Sequence, residues 1–102
     1  MNEPLVIAHL SNGAAASALA AGFEEEGVPL TVSHAQGTPE ALAREAAHAS
    51  LLGIGIGGDG DRLVLMLAGG PASPYLEARV SDARSFAHDA ARIAARRPLT
   101  LG

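Results

Sequence analysis

The chain has no cysteine, no tryptophan and no lysine, and its 102 residues include only two phenylalanines and one tyrosine. Without cysteine there can be no disulfide and no metal or redox centre built on thiolates. Arginine alone carries the seven basic charges of the Lys and Arg class against eleven acidic ones, for a formal net charge of −4. A nucleic-acid binder shows a basic stripe with aromatics between, and neither is present. No run of 18 apolar residues occurs, and no charged leader precedes a long apolar segment, so neither a membrane span nor an export signal is expected. The expected location is the cytoplasm. The shortage of large side chains predicts a thin, alanine-rich core, close helix–sheet packing and modest stability helped by a partner subunit. At this length the chain 1–102 is expected to form one domain.

What is present alternates. Leu5 to Leu10 is an apolar run closed by Ser11-Asn12-Gly13, which predicts a buried strand and a turn. Residues 14–26 predict a helix, with Ala16, Leu19, Ala20 and Phe23 as its apolar stripe. Val28 to Ser33 suits a second strand. Thr38 as N-cap, Pro39 at the first helical position and Glu40 in the first turn open a second helix to about Ser50, burying Leu42, Ala46 and Ala49. Leu51 to Ile56 and Arg62 to Leu67 read as strands. The short Gly/Asp connection between them forces an antiparallel pair, since a parallel return needs a dozen residues or more. Tyr75 to Val80 suits an edge strand. Ser81 or Asp82 would cap a last helix from about 82 to 96, with Phe86, Ala90 and Ile93 buried, Arg92, Arg96 and Arg97 complementing its dipole, and Pro98 as its stop. The expected class is α/β, a three-layer α/β/α sandwich around a mixed sheet of four to five strands, one of them antiparallel.

The acidic stretch Glu24-Glu25-Glu26-Gly27-Val28-Pro29 stands out. Gly27 suits a left-handed helix end and Pro29 cannot continue the helix, so three carboxylates crowd a C-terminus. The helix dipole is already negative there, and each further negative charge is unfavourable. At about 100° per residue, Glu25 lies about 200° from Phe23, opposite the apolar stripe, with Glu24 and Glu26 at its edges. Two readings follow: a solvated acidic end, or a surface relieved by an external cation or a partner's basic group.

Other motifs invite chemistry and lack its context. Gly53-Ile54-Gly55-Ile56-Gly57-Gly58 resembles a dinucleotide loop, but its glycines lie in a strand and lead to another strand instead of a helix N-terminus. Strand glycines that admit a closely packed helix are the expected explanation. Asp59-Gly60-Asp61 opens like a calcium loop, yet Gly70 stands where the bidentate glutamate belongs, so a hairpin turn is expected. His9, His34, His48 and His88 show no zinc spacing, and Ser11 and Ser50 no nucleophile elbow. No catalytic residue is expected.

Taken together, GFEEEGVP at 22–29, ASLLGIGIGGDGD at 49–61 before a hydrophobic strand, and DAARIAARRPL at 89–99 make the chain resemble the small subunit of the diol/glycerol dehydratase reactivating factor. That family is related in fold to the dehydratase medium subunit. The resemblance implies the same α/β/α fold and a non-catalytic subunit that pairs with a large ATP-hydrolysing, chaperone-like subunit. It implies that the complex exchanges damaged adenosylcobalamin in a diol or glycerol dehydratase, by swapping this subunit with the dehydratase's medium one. It further implies that Glu25, the middle acid of the triplet, helps hold a divalent cation, Mg²⁺ or Ca²⁺, at an interface formed by Glu24, Glu25 and Glu26, with ATP bound only by the large subunit. Association with a bacterial microcompartment is left open. The chain departs from the family pattern at Met66, Tyr75 and Asp89. Two alternatives stand beside this reading: the medium subunit of a cobalamin-dependent dehydratase, and a free-standing flavodoxin-like module for a small ligand.

Overall fold

A computed structural model describes residues 6–96. The expected strand start at Leu5, the dipole partner Arg97 and the helix stop Pro98 lie outside the described residues. Strands Val6–Leu10 (β1), Leu30–His34 (β2), Ile54–Gly58 (β3), Arg62–Leu67 (β4) and Leu76–Arg79 (β5) form one sheet in the order β2-β1-β3-β4-β5. β1 pairs parallel with β2 and β3, while β4 pairs antiparallel with β3 and β5. Only β4 therefore runs against the rest, as the short Gly/Asp connection required. Helix Pro39–Ala49 (α2) covers one face of the sheet, and helices Ala16–Glu26 (α1) and Ala83–Arg96 (α3) pack side by side on the other.

The two faces are built differently. On the α1/α3 face, Val6, Ala8, Leu10, Ile54, Ile56, Leu63 and Leu65 meet Leu19, Phe23, Phe86 and the alanines of α3 in the main core. On the α2 face, β3 contributes no side chains. A Cβ at Gly55 would lie 2.1 Å from the Ala47 nitrogen, and one at Gly57 would lie 2.0 Å from the Pro39 carbonyl oxygen. The helix backbone rests on the strand backbone, which is why these positions are glycine and why the dinucleotide-loop pattern has no phosphate to meet. The same economy joins α1 to α3: a Cβ at Gly22 would stand 2.5 Å from the Ala87 Cβ.

Several expected boundaries move, each for a local reason. β2 begins at Leu30 because Val28 is used to end α1, its N–H donating 3.0 Å to the Phe23 carbonyl. β3 begins at Ile54 because Ser50 to Gly53 is a turn, with the Ser50 Oγ accepting from the Leu52 and Ile54 amides and Gly53 at φ +72°. A 3₁₀ turn over Val80–Asp82 leads directly into α3, which begins at Ala83. Ala20 and Ala49, expected in the core, are exposed. Ala20 lines an open groove between α1 and β2 instead. The Asp59 turn is a hairpin, as expected: Asp59 Oδ1 accepts from the Asp61 and Arg62 amides at 2.7 and 2.8 Å.

Candidate functional site: the acidic tip of the first helix

α1 ends as its sequence requires. Gly27 takes φ +73°, and its amide and that of Val28 return to the Glu24 and Phe23 carbonyls, a double closure that satisfies two of the helix's last acceptors. The three carboxylates are thereby held on the final turn, and the neighbouring surface is α3.

That neighbour supplies basic groups of the same chain. Arg84, His88 and Arg92 recur at four-residue intervals, so they share one flank of α3, and that flank faces the tip. Arg84 grips Glu25 with two hydrogen bonds, Nε to Oε1 at 3.0 Å and Nη2 to Oε2. His88 bridges two acids, its Nε2 standing 2.9 Å from Glu25 Oε1 and its Nδ1 2.7 Å from Glu26 Oε2. Arg92 Nη2 adds a contact to Glu26 Oε2 at 3.2 Å. The Glu25 carboxyl is held below its ordinary value of 4.5, chiefly by the hydrogen bond from Arg84 and then by His88. Glu26 is lowered chiefly by the bond to His88, with Arg92 assisting. Glu24 alone of the three has no polar partner among the described residues. It lies at the lip of a 380 Å³ groove floored by Phe23, Val28 and Leu30, between α1 and β2.

The expectation of an electrostatically unfinished tip is therefore corrected. On a helical wheel Glu25 falls opposite the apolar stripe, but a helix lying beside a second helix on one sheet face has a flank that is neither core nor solvent. Glu25 occupies that flank. Its side chain is 44% exposed and is nonetheless paired with a same-chain arginine. The signal was present in the spacing of Arg84, His88 and Arg92. In the sequence a helix-dipole role accounts for Arg92 and a surface or edge position for His88, so neither points to the tip.

The remaining candidates are spent structurally. Arg62 ties three elements together, donating to Glu40 of α2 at 2.9 and 3.0 Å and to Glu77 of β5 at 2.7 Å. His9 Nδ1 is buried without a hydrogen bond; Glu45 Oε1, at 3.5 Å, is too distant to supply one. His34 contacts Gln36 and His48 is exposed.

A divalent cation finds no ready cage here. Among the described residues, no group of three or more histidine, aspartate or glutamate side chains could hold a metal ion. Both oxygens of Glu25 are engaged by donors, and two guanidinium groups stand within hydrogen-bond range of the cluster. As folded, the tip does not fit Mg²⁺ or Ca²⁺, which take six or more oxygens or several waters and repel neighbouring cations.

Fold and surface together define an α/β/α module whose charged side chains tie its own elements to one another. The chain belongs to the dehydratase medium-subunit family, whose model matches residues 3–100. Two solved structures are similar over nearly their whole length. A glycerol dehydratase reactivase shares 28% identity at a TM-score of 0.82, over 97% of this chain and 98% of that one. A diol dehydratase-reactivating factor, solved in complex with ADP and Mg²⁺, shares 27% at a TM-score of 0.77, over 99% and 100%. No curated protein matches the chain.

Proposed function

We propose that the chain is the small, non-catalytic subunit of an ATP-dependent reactivating factor serving a diol or glycerol dehydratase. It would pair with a large ATP-hydrolysing subunit and exchange places with the dehydratase's medium subunit, so that damaged adenosylcobalamin can leave. One observation carries this reading. The chain fits the dehydratase medium-subunit family from residue 3 to 100, while the solved chains that it matches end to end are reactivating factors. A swap requires one surface to serve in two assemblies, and a subunit shaped like both is what that exchange needs. The same reading places Glu24, Glu25 and Glu26 at the contact with the large subunit. Glu25 would serve as one oxygen ligand of a divalent cation there only once freed from Arg84 and His88, the partner supplying most of the other ligands, since one carboxylate cannot hold such an ion. ATP belongs to the large subunit.

The test is reconstitution. An inactivated dehydratase is given this chain, its large subunit, ATP, Mg²⁺ and fresh adenosylcobalamin. Activity should return only with both subunits present, and the dehydratase's medium subunit should appear in complex with the large one. No recovery with a large subunit that hydrolyses ATP normally would defeat the proposal.

A further inference from the structure

The sheet has two outer strands, and they are finished differently. β5 carries Glu77 and Arg79, charges of the kind that keep an open edge from pairing with another chain. β2 carries no acid, arginine or lysine, holds no proline, and keeps an unbroken register with β1. Val32 stands at its centre, 38% exposed.

The direction of its backbone groups follows from that one ladder. The Ala35 N–H donates 3.0 Å to the Leu10 carbonyl, so Ala35, Ser33 and Thr31 turn their amides and carbonyls toward β1. Those of Leu30, Val32 and His34 therefore point outward, away from the sheet.

We propose that this edge is where two copies of the chain join, β2 against β2, antiparallel about a two-fold axis at Val32, a contact independent of any role in reactivation. The strand is self-complementary under that axis. Val32 faces Val32, and Leu30 faces the second copy's His34. All of these have outward groups, so each pair exchanges two N–H···O bonds. Between them Thr31 faces Ser33 at the closer spacing of about 4.5 Å, where the two hydroxyls can bond one another. A slip of one residue would set inward-turned groups against outward ones and lose the ladder.

The side chains argue for a second copy over an unrelated strand. Leu30 shares a groove with Glu24 on the α1 face, and Val32 and His34 line a second groove beside Ala16. Two-fold pairing brings the second copy's His34 beside Leu30, at the lip where Glu24 has no polar partner among the described residues. An imidazole N–H is the donor that this carboxylate lacks, and the axis repeats the contact at the other end. Val32 is covered by its own equivalent.

Sedimentation velocity of the full chain, from micromolar to sub-millimolar concentration, should show a species of twice the monomer mass that dissociates on dilution, as a small edge contact does. Residue-resolved amide exchange should alternate along β2: Leu30, Val32 and His34 slow as concentration rises, while Thr31, Ser33 and Ala35 do not respond. Val32→Lys sets two like charges at the axis, their Cα atoms about 5.5 Å apart, and Val32→Pro removes an outward N–H that β1 does not use. Each should weaken association at least about tenfold, with circular dichroism showing Val32→Lys folded as wild type. Glu24→Gln should weaken it about threefold. An unchanged affinity in Glu24→Gln refutes the register. The pairing is overturned by a chain that stays monomeric at the highest concentration, by a dimer that survives both Val32 variants, or by protection that does not alternate. Protection of β2 by another protein and never by the chain itself would assign the edge to a different partner and overturn it equally.

Discussion

At the scale of single residues, glycine does the work that large side chains do elsewhere. Gly55 and Gly57 hold α2 against β3 by having nothing on Cβ, and the atoms in the way are backbone atoms that cannot step aside. Gly55→Ala should therefore cost at least about 2 kcal/mol, at the severe end of overpacking, visible as a lower urea midpoint at constant m. Gly22→Ala pits two effects against each other. Helix propensity favours alanine by about 1 kcal/mol, whereas a methyl 2.5 Å from the Ala87 Cβ must push the helices apart. Overpacking is expected to win, and a second change, Ala87→Gly, should recover part of the loss. Gly27 is a different case. It is open to solvent and constrained only by φ +73°, so Gly27→Ala should cost only about 1 kcal/mol, from backbone strain alone. A loss equal to that of Gly55→Ala would contradict this account.

The elements were largely legible in the sequence, and the relation between them was less so. The bounds of β4 are legible to the residue because a Gly/Asp turn precedes its hydrophobic run and a Gly/Pro loop follows it. β3 begins three residues later than the apolar run from Leu51 predicts, because such a run does not reveal that Ser50 will cap a turn and leave Leu51, 55% exposed, outside the strand. The acidic tip is legible in the sequence but its partners are not, since a helical wheel describes one helix against a core and is silent about a second helix alongside. That pairing has a pH signature. The folded carboxyls of Glu25 and Glu26 lie below 4.5, so their contribution is complete above that value and is lost as pH falls below it through the folded values. Melting temperature should fall between about pH 7 and about pH 3 more steeply for wild type than for Glu25→Gln/Glu26→Gln. Glu40 and Asp59, whose carboxyls are also lowered by hydrogen bonds, leave a residual slope in both proteins. Parallel curves would mean that the α1–α3 ion pairs contribute nothing to the fold.

For the molecule as a whole, stability rests on very few large groups. Phe23 and Phe86 are the only phenylalanines, and both are buried between the sheet and the paired helices. Phe23→Ala should cost about 3–5 kcal/mol, a large share of the roughly 5–15 kcal/mol that holds a domain together. The variant is expected to have a urea midpoint far below that of wild type, recovered in part when a partner is bound. The poorest-covered part of the sheet is β2, an outer strand with four of its five residues exposed and its one ladder on the β1 side. Its outward-facing amides answer to water alone. In a deuterium-exchange experiment they should be the first of the sheet to lose their protons, long before those of β3, and slow down only once another chain lays its own backbone or a surface along them. Isotope uptake along β2 thus reports directly on what lies beside it: a strand that exchanges quickly is one whose outer edge meets only solvent.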